Sequence, residues 1–315
     1  MILITGGLGF IGAHVARAVL DLGESCVLAQ RRTGSVPAFL AGEPAGRVVV
    51  EQADVTDQRS IRELGERHRI TGIVHLATGL GYGAASIADA RACADGLLNV
   101  LEAAGDWRVP RVGVASTIGV YAEVAGPGAN PLREDMPLAL TAGHPIPLGK
   151  KVTELLSGYI AGGTGMEIYN IRIGAAWGPL GRTPSPFMAA PQLVHAAARG
   201  ETAPPAYADD AIDLIYVKDC GRAIALLQLA ERLRYGTYNV SSGRATTNKE
   251  LAAAVAKVVP DAPVDLRDGA DPNGTGHEIY LDITRLRQDT GFAPGYDTER
   301  AVADYVDWLR AGHER

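Results

Sequence analysis

Cysteine is scarce: Cys26, Cys93 and Cys220 are the only three in 315 residues, and no CxxC pair stands among them. That excludes a disulfide framework and gives no zinc spacing, so no metal is expected and the implied compartment is reducing. Long apolar runs are missing too. Nothing approaches the ~18 residues needed to cross a bilayer, and Met1 passes straight into Ile2-Leu3-Ile4 without a charged leader. A cytoplasmic protein with no membrane partner is expected, its first strand starting at its first residues. Excess positive charge is also lacking. Thirty basic against 36 acidic residues leave a net charge of −6, which offers no field to nucleic acid.

What is present is ordinary for a folded globular protein: 47% apolar and 21% charged residues, enough to bury a full core. At about 150 residues per domain, the length fits one large or two modest domains. Through the first half, short β-rich runs alternate with helical patterns, from Ile2–Thr5 and Ala13–Leu22 to Lys150–Ala161 and Glu167–Ile173. Continuous apolar runs such as Ile73-Val74-His75-Leu76-Ala77 read as parallel strands covered on both faces. The fold class expected is α/β, a Rossmann-like doubly wound parallel sheet with a smaller C-terminal α/β substrate-binding lobe. Residues 1–178 form the dinucleotide-binding domain in this reading, and 179–315 mainly the substrate lobe, with about 212–232 returning to the sheet. The stretch 180–206, rich in Pro, Ala and Met, reads as an apolar pocket wall around a helix at Gln192–Arg199.

Thr5-Gly6-Gly7-Leu8-Gly9-Phe10-Ile11-Gly12 follows the first strand and opens a helix. Glycines at 6, 9 and 12 allow a sharp turn and let a pyrophosphate approach backbone N–H groups at the helix start, Phe10 and Ile11 included. About twenty residues further on, an acid would accept bonds from the ribose 2′-OH of NAD. Gln30 stands there, followed by Arg31 and Arg32, which suit the 2′-phosphate of NADP, with NAD as the other possibility.

This run resembles the extended short-chain dehydrogenase/reductases, the NAD-dependent epimerase/dehydratase family. Further segments match in order: Asp54-Val55-Thr56-Asp57, Val74-His75-Leu76-Ala77-Thr78, Asn99–Ala104, Ala115–Tyr121, Trp177-Gly178-Pro179, Tyr216–Asp219 and Tyr238–Gly243, covering about residues 1–290. The resemblance implies that Asp54 and Val55 meet the adenine, and that Leu76, Ala77 and Thr78 line the cofactor. It also implies a Ser or Thr at the fifth strand end, for which Thr117 fits, and a Tyr-x-x-x-Lys pair on the next helix. There, Tyr moves the proton while Lys lowers its pKa and holds the ribose.

Lys150 fits the lysine, with Glu154 one turn on, but four residues back stands Ile146, which has no proton to give. Pro147 is expected to keep residue 146 off the helical face as well. Substitute donors are His144, just before the gap, and Tyr82, in the loop after the fourth strand; Tyr121 reads as core. Where dehydratases of the family carry Asp-Glu after the Ser or Thr, Ile118-Gly119 stand here. Ala175 and Ile212 occupy places where nucleotide-sugar epimerases usually hold their substrate with Asn and Arg. Arg172 and Arg182 remain candidates for contact with a polar substrate.

The expectation is therefore an NADP-binding oxidoreductase or epimerase-like enzyme acting on a small non-nucleotide molecule. The rivals are a non-redox cyclase, isomerase or lyase on the same fold, and an NADP-sensing regulatory protein. Relatives commonly pair through the helices following the fourth and fifth strands, so a homodimer through about Ala84–Ala104 and Lys150–Ala161 is expected.

Overall fold

The computed structural model describes residues 1–32, 34–78, 83, 86–126, 129–183, 185, 188–272 and 278–313. Tyr82 lies outside these. In chain order the elements are β1 (Ile2–Thr5), α1 (Phe10–Asp21), β2 (Cys26–Gln30), α2 (Ala38–Ala41), β3 (Val48–Gln52), α3 (Gln58–Arg67), β4 (Gly72–His75), α4 (Ile87–Asp106) and β5 (Arg111–Thr117). A short 3-10 turn, Ile118–Tyr121, leads on to α5 (Pro145–Thr164), β6 (Glu167–Ile173), β7 (Ala175–Trp177), α6 (Ala190–Arg199), β8 (Ala206–Tyr207), β9 (Ala211–Ile212) and β10 (Leu214–Tyr216). The chain closes with α7 (Val217–Leu229), β11 (Thr237–Val240), β12 (Thr246–Thr247), α8 (Asn248–Val258), β13 (Leu266–Arg267), α9 (Thr284–Thr290) and α10 (Thr298–Arg310).

Seven parallel strands form the central sheet in the order β11-β6-β5-β4-β1-β2-β3. All four residues of β1 and of β4 are buried, as strands covered on both faces must be. Successive side chains alternate between those faces. Ile4 and Leu28 pack toward the core beneath α1 and α7, whereas Leu3 and Val27 join the core beneath α3 and α4. Because β1 is flanked by β2 on one side and β4 on the other, the winding reverses between β1 and β4, and their carboxyl ends open the crevice in which such folds bind ligands.

The chain's return to this sheet differs from expectation. Leu214–Tyr216 pairs with Ala175–Trp177 in a small sheet of its own, and the strand that rejoins the main sheet is β11, beside β6. Between them α7 packs on the sheet. The short strand β10 forms with β7 part of a separate core, in which Trp177, Leu193, Leu214, Leu251 and Tyr305 gather beneath α6, α8 and α10. That core is the C-terminal lobe.

His14, on α1, links the two halves. It is buried, stacks on Phe39 with ring centroids 4.9 Å apart, and places Nε2 3.1 Å from the Pro179 carbonyl oxygen. A carbonyl only accepts, so Nε2 carries the hydrogen and the ring is neutral; burial pulls its pKa down to about 4. An unfolded histidine titrates near 6.5. From pH 6.5 to 4 the unfolded chain therefore binds a proton that the folded chain refuses, and stability falls as the pH falls, by roughly 3 kcal/mol for this group. Replacing His14 by Gln removes that slope, so thermal melts of variant and parent should draw together from pH 7 to pH 4.5. A gap that stays constant with pH would contradict this assignment.

Candidate functional site

The glycine loop sits at the crevice. Gly6 adopts φ +70°, and its amide donates to the Ala29 carbonyl at 2.9 Å. A Cβ on Gly12 would lie 2.2 Å from the Gly6 carbonyl oxygen, so the helix can start this close to the turn only with glycine there. The residue preceding α1, Gly9, has no side chain to cap it. The first N–H groups of the helix, on Phe10, Ile11 and Gly12, lack intrahelical partners and are offered to an anion at the positive end of the helix dipole.

Neighbouring side chains brace this loop. The Thr5 hydroxyl accepts from the amides of Leu76 and Ala77, both at 3.2 Å, and lies 2.9 Å from His75 Nδ1. Since the hydroxyl already accepts twice, its own hydrogen goes to Nδ1, and the His75 proton is on Nε2. Burial, with Lys150 nearby, pulls the pKa of His75 down to about 3, so the ring stays neutral. Asn99, on α4, donates to the Val55 carbonyl at 2.9 Å, and Thr56 donates from its amide and hydroxyl to Asp54 Oδ1 at 2.9 and 2.8 Å. The aspartate turn is thereby fixed. Gln30 takes a role that sequence reasoning missed: its Oε1 accepts the Leu8 amide at 3.3 Å and tethers the loop to β2. Arg31 and Arg32 follow, exposed and without ion pairs among the described residues. These groups fit a dinucleotide.

At the carboxyl end of β5, Thr117 Oγ1 accepts the Gly119 amide at 3.2 Å, which leaves the hydroxyl hydrogen to donate outward. The helix α5 begins at Pro145, so Ile146 is its second residue, one turn before Lys150. This overturns the expectation that Pro147 holds residue 146 off the helix. The physical reason is that both prolines fall within the first turn, where the missing N–H groups have no intrahelical acceptor to lose. Ile146 thus stands on α5 one turn before Lys150, and its side chain has no proton to give.

His144 has another task. As the residue before α5, its Nδ1 accepts the Ile146 amide at 3.2 Å, which commits that lone pair to holding the helix. Pro147 also explains Gly119: a Cβ there would meet Pro147 Cγ at 2.9 Å.

Lys150 is 8% exposed, and burial holds its ammonium below the ordinary lysine range, opposed by Cys93 and Glu154. Lys151, by contrast, spends its charge on Glu123 Oε2 at 2.8 Å and the Thr141 carbonyl at 2.5 Å. Arg172 is not a substrate contact. Its guanidinium grips Glu154 at 2.7 Å and donates to the Tyr121 hydroxyl at 2.8 Å, all in the interior. Ser116 donates to the same Glu154, and Tyr121 to Asn239 at 2.9 Å, so Tyr121 is core as its sequence context implies. Arg182 is exposed.

A cavity of about 800 Å³ opens in the C-terminal lobe. Met188, Ala189, Pro204 and Pro205 form part of its wall, in agreement with the apolar reading of that stretch, and Ile212 lies within it. Its polar lining was not legible in the sequence: Asp209, Asp210, Asp271 and Glu278 line it together with Arg267, which packs on the Tyr207 ring at 5.4 Å. The sole hint was the Asp209-Asp210 pair, which reads equally as solvated surface. Among the described residues no group of three His, Cys, Asp or Glu side chains can hold a metal, and no helix is long and apolar enough to cross a membrane.

The family model described as the NAD dependent epimerase/dehydratase family matches residues 2–241. The UDP-glucose 4-epimerase of Mus musculus is 28% identical over 342 residues, spanning 98% of this chain and 96% of that protein. A UDP-glucuronate 4-epimerase of Thermodesulfobacterium geofontis is 28% identical over 190 residues, 57% of each chain. Among solved structures, UDP-glucose-4-epimerase from Stenotrophomonas maltophila, with bound NAD and formylated UDP-arabinopyranose, superposes with a TM-score of 0.83 at 22% identity, covering 99% of this chain and 98% of that one.

Proposed function

The chain belongs to the NAD dependent epimerase/dehydratase family, a family of enzymes, and on that premise we propose that it is an NADP-dependent enzyme that acts by hydride chemistry on a small substrate carrying no nucleotide diphosphate. The observation that carries the substrate half of this reading is the cavity, whose lining sets Asp209, Asp210, Asp271 and Glu278 against Arg267. Carboxylates beside a diphosphate repel it, and Ile212 and Ala175 contribute neither a cation nor an amide. The relatives' names point to nucleotide sugars; the charge of this cavity points away from them. The cofactor half rests on Arg31 and Arg32, without ion pairs among the described residues, beyond a Gln30 that is tied to the loop.

When bound, a nicotinamide supplies or takes the hydride. The chain itself does the rest: Thr117 donates its free hydroxyl hydrogen to a substrate oxygen, and Lys150 presents a cation to the cofactor's ribose side. The experiment is isotopic. Incubation with 4-deuterated NADPH and a mixed cellular metabolite extract should place deuterium in a product that carries no nucleotide. Label confined to nucleotide sugars would overturn the substrate reading. No label in any product, with turnover established, would reject a net reduction by NADPH; the reverse labelling then separates an oxidation or an internal hydride cycle from the non-redox cyclase, isomerase or lyase, which the proton-free Ile146 also favours.

A homodimer belongs to the same proposal. On α5, Leu148, Val152, Leu155 and Tyr159 recur at helical spacing along one stripe, with Leu155 64% and Tyr159 82% exposed, and Ile87 on α4 is 80% exposed. Apolar stripes of this extent mark interfaces, and a second copy presenting the same two helices is self-complementary. Light scattering should give a dimer mass at micromolar concentration, and Leu155→Glu with Tyr159→Glu a monomer; a parent that is already monomeric would refute it.

A further inference from the structure

We propose that the ammonium of Lys150 is itself the proton donor of this site, and its neutral amine the acceptor in the reverse direction, replacing the hydroxyl that Ile146 cannot supply. The proposal rests on the nicotinamide-cofactor reading above. Lys150 lies on the buried side of α5, one turn after Ile146, and among the described residues its three N–H donors have no hydrogen bond or ion pair. A buried ammonium without acceptors is costly, and is retained where the acceptor arrives with a ligand.

Its neighbours offset its burial without pairing it: Cys93 of α4 and Glu154 of α5 favour the charge, and the neutral His75 lies at the end of β4. The strand β5 contributes Ser116 and Thr117, which carry no charge. Arg172 of β6 is neutralised by Glu154 of α5 itself, and Tyr121 of the 3-10 turn is bonded to Arg172 and Asn239. Lys151 is paired with Glu123, and His144 is occupied as the cap. Burial moves the Lys150 ammonium toward the range in which it exchanges a proton with a ligand.

In the reduction direction, a bound reduced nicotinamide would supply hydride to the substrate carbonyl carbon, leaving an electron pair on its oxygen. One N–H bond of Lys150 then breaks as an O–H bond forms. The pair left on Nζ gives a neutral amine, which regains its proton from water.

Calorimetry supplies a readout that needs no substrate. The oxidised nicotinamide carries a positive charge that disfavours a nearby ammonium, and the reduced ring does not. Titrated across pH 7–10 in two buffers of different ionisation enthalpy, NADP⁺ should release more protons than NADPH. The difference should vanish in Lys150→Met, and in Lys150→Arg, whose guanidinium keeps its proton. Equal counts in the parent, or a difference that survives both variants, overturns the proposal while leaving the cofactor reading intact; failure of either nucleotide to bind overturns both.

Should the variants not fold, ¹³C spectra of the parent labelled at lysine Cε settle the matter, since the chain holds just five lysines. Lys150 should titrate below the other four, and lower with NADP⁺ than with NADPH; five ordinary titrations overturn the proposal. Transfer of the proton itself is read in the deuterium assay. Lys150→Arg should slow label transfer at least about a hundredfold at saturating NADPH, and adding Ile146→Tyr should restore part of it. A loss below about tenfold assigns Lys150 to holding the ribose alone and overturns its role as donor.

Discussion

Gly12→Ala should abolish dinucleotide binding, weakening it at least about a hundredfold, or roughly 3 kcal/mol. The added methyl would sit 2.2 Å from the Gly6 carbonyl oxygen and 2.9 Å from the Gly7 Cα, both backbone atoms. No side chain can swing aside to make room. Either the turn at Gly6 opens or the first turn of α1 withdraws, and both move the unpaired N–H groups of Phe10, Ile11 and Gly12 away from a pyrophosphate. The control is Gly158→Ala, in α5, where a Cβ meets nothing within 4 Å. There the substitution should leave binding alone and raise helix stability slightly. Fluorescence titration of the reduced nucleotide checks both, and a Gly12→Ala protein that binds within threefold of the parent would show that the loop does not hold the phosphates.

Arg172→Met should cost about 3–5 kcal/mol of stability, because it strands the Glu154 carboxylate in the interior with Ser116 as its remaining partner. The same change removes the donor to Tyr121 and the packing of the guanidinium over that ring, 4.9 Å from its centroid. Replacing Glu154 by Leu in addition should recover much of the loss, since no unpaired charge is then left buried. Urea unfolding measures both variants. Were Arg172 a substrate ligand, the single substitution would raise KM and leave the unfolding midpoint almost in place.

The contrast between these two positions shows what a sequence discloses. The glycine loop is legible because its constraint is local: strand, turn and helix follow one another within a dozen residues, and glycine is the one residue type the close approach permits. Lys150 is legible by its spacing to Glu154. The buried strands β1 and β4 announce themselves as continuous apolar runs.

Arg172 was not legible, because its role depends on Glu154 and Tyr121, residues 18 and 51 positions away that meet it only in the folded chain. The same holds for the Thr5–His75 latch and for Gln30, which looked like the vacancy left by an acid and is a tether. Pro145 and Pro147 misled for a subtler reason. A proline ends a helix in its interior but is tolerated in its first turn, and the start of α5 is set by the His144 cap, an interaction weak in pattern and clear in geometry. In the C-terminal lobe the two-residue strands β8, β9, β12 and β13 are too short for any periodicity, so the cavity they frame was visible only as a composition.

The most direct test of the cofactor assignment is calorimetric titration of the purified protein with NADPH and with NADH. Arg31 and Arg32, free of ion pairs among the described residues, should make NADPH bind at least about ten times more tightly, a preference of ~1.4 kcal/mol. Changing both arginines to alanine should erase the preference and leave NADH affinity nearly unchanged. Equal affinities in the parent, or tighter binding of NADH, would contradict the account.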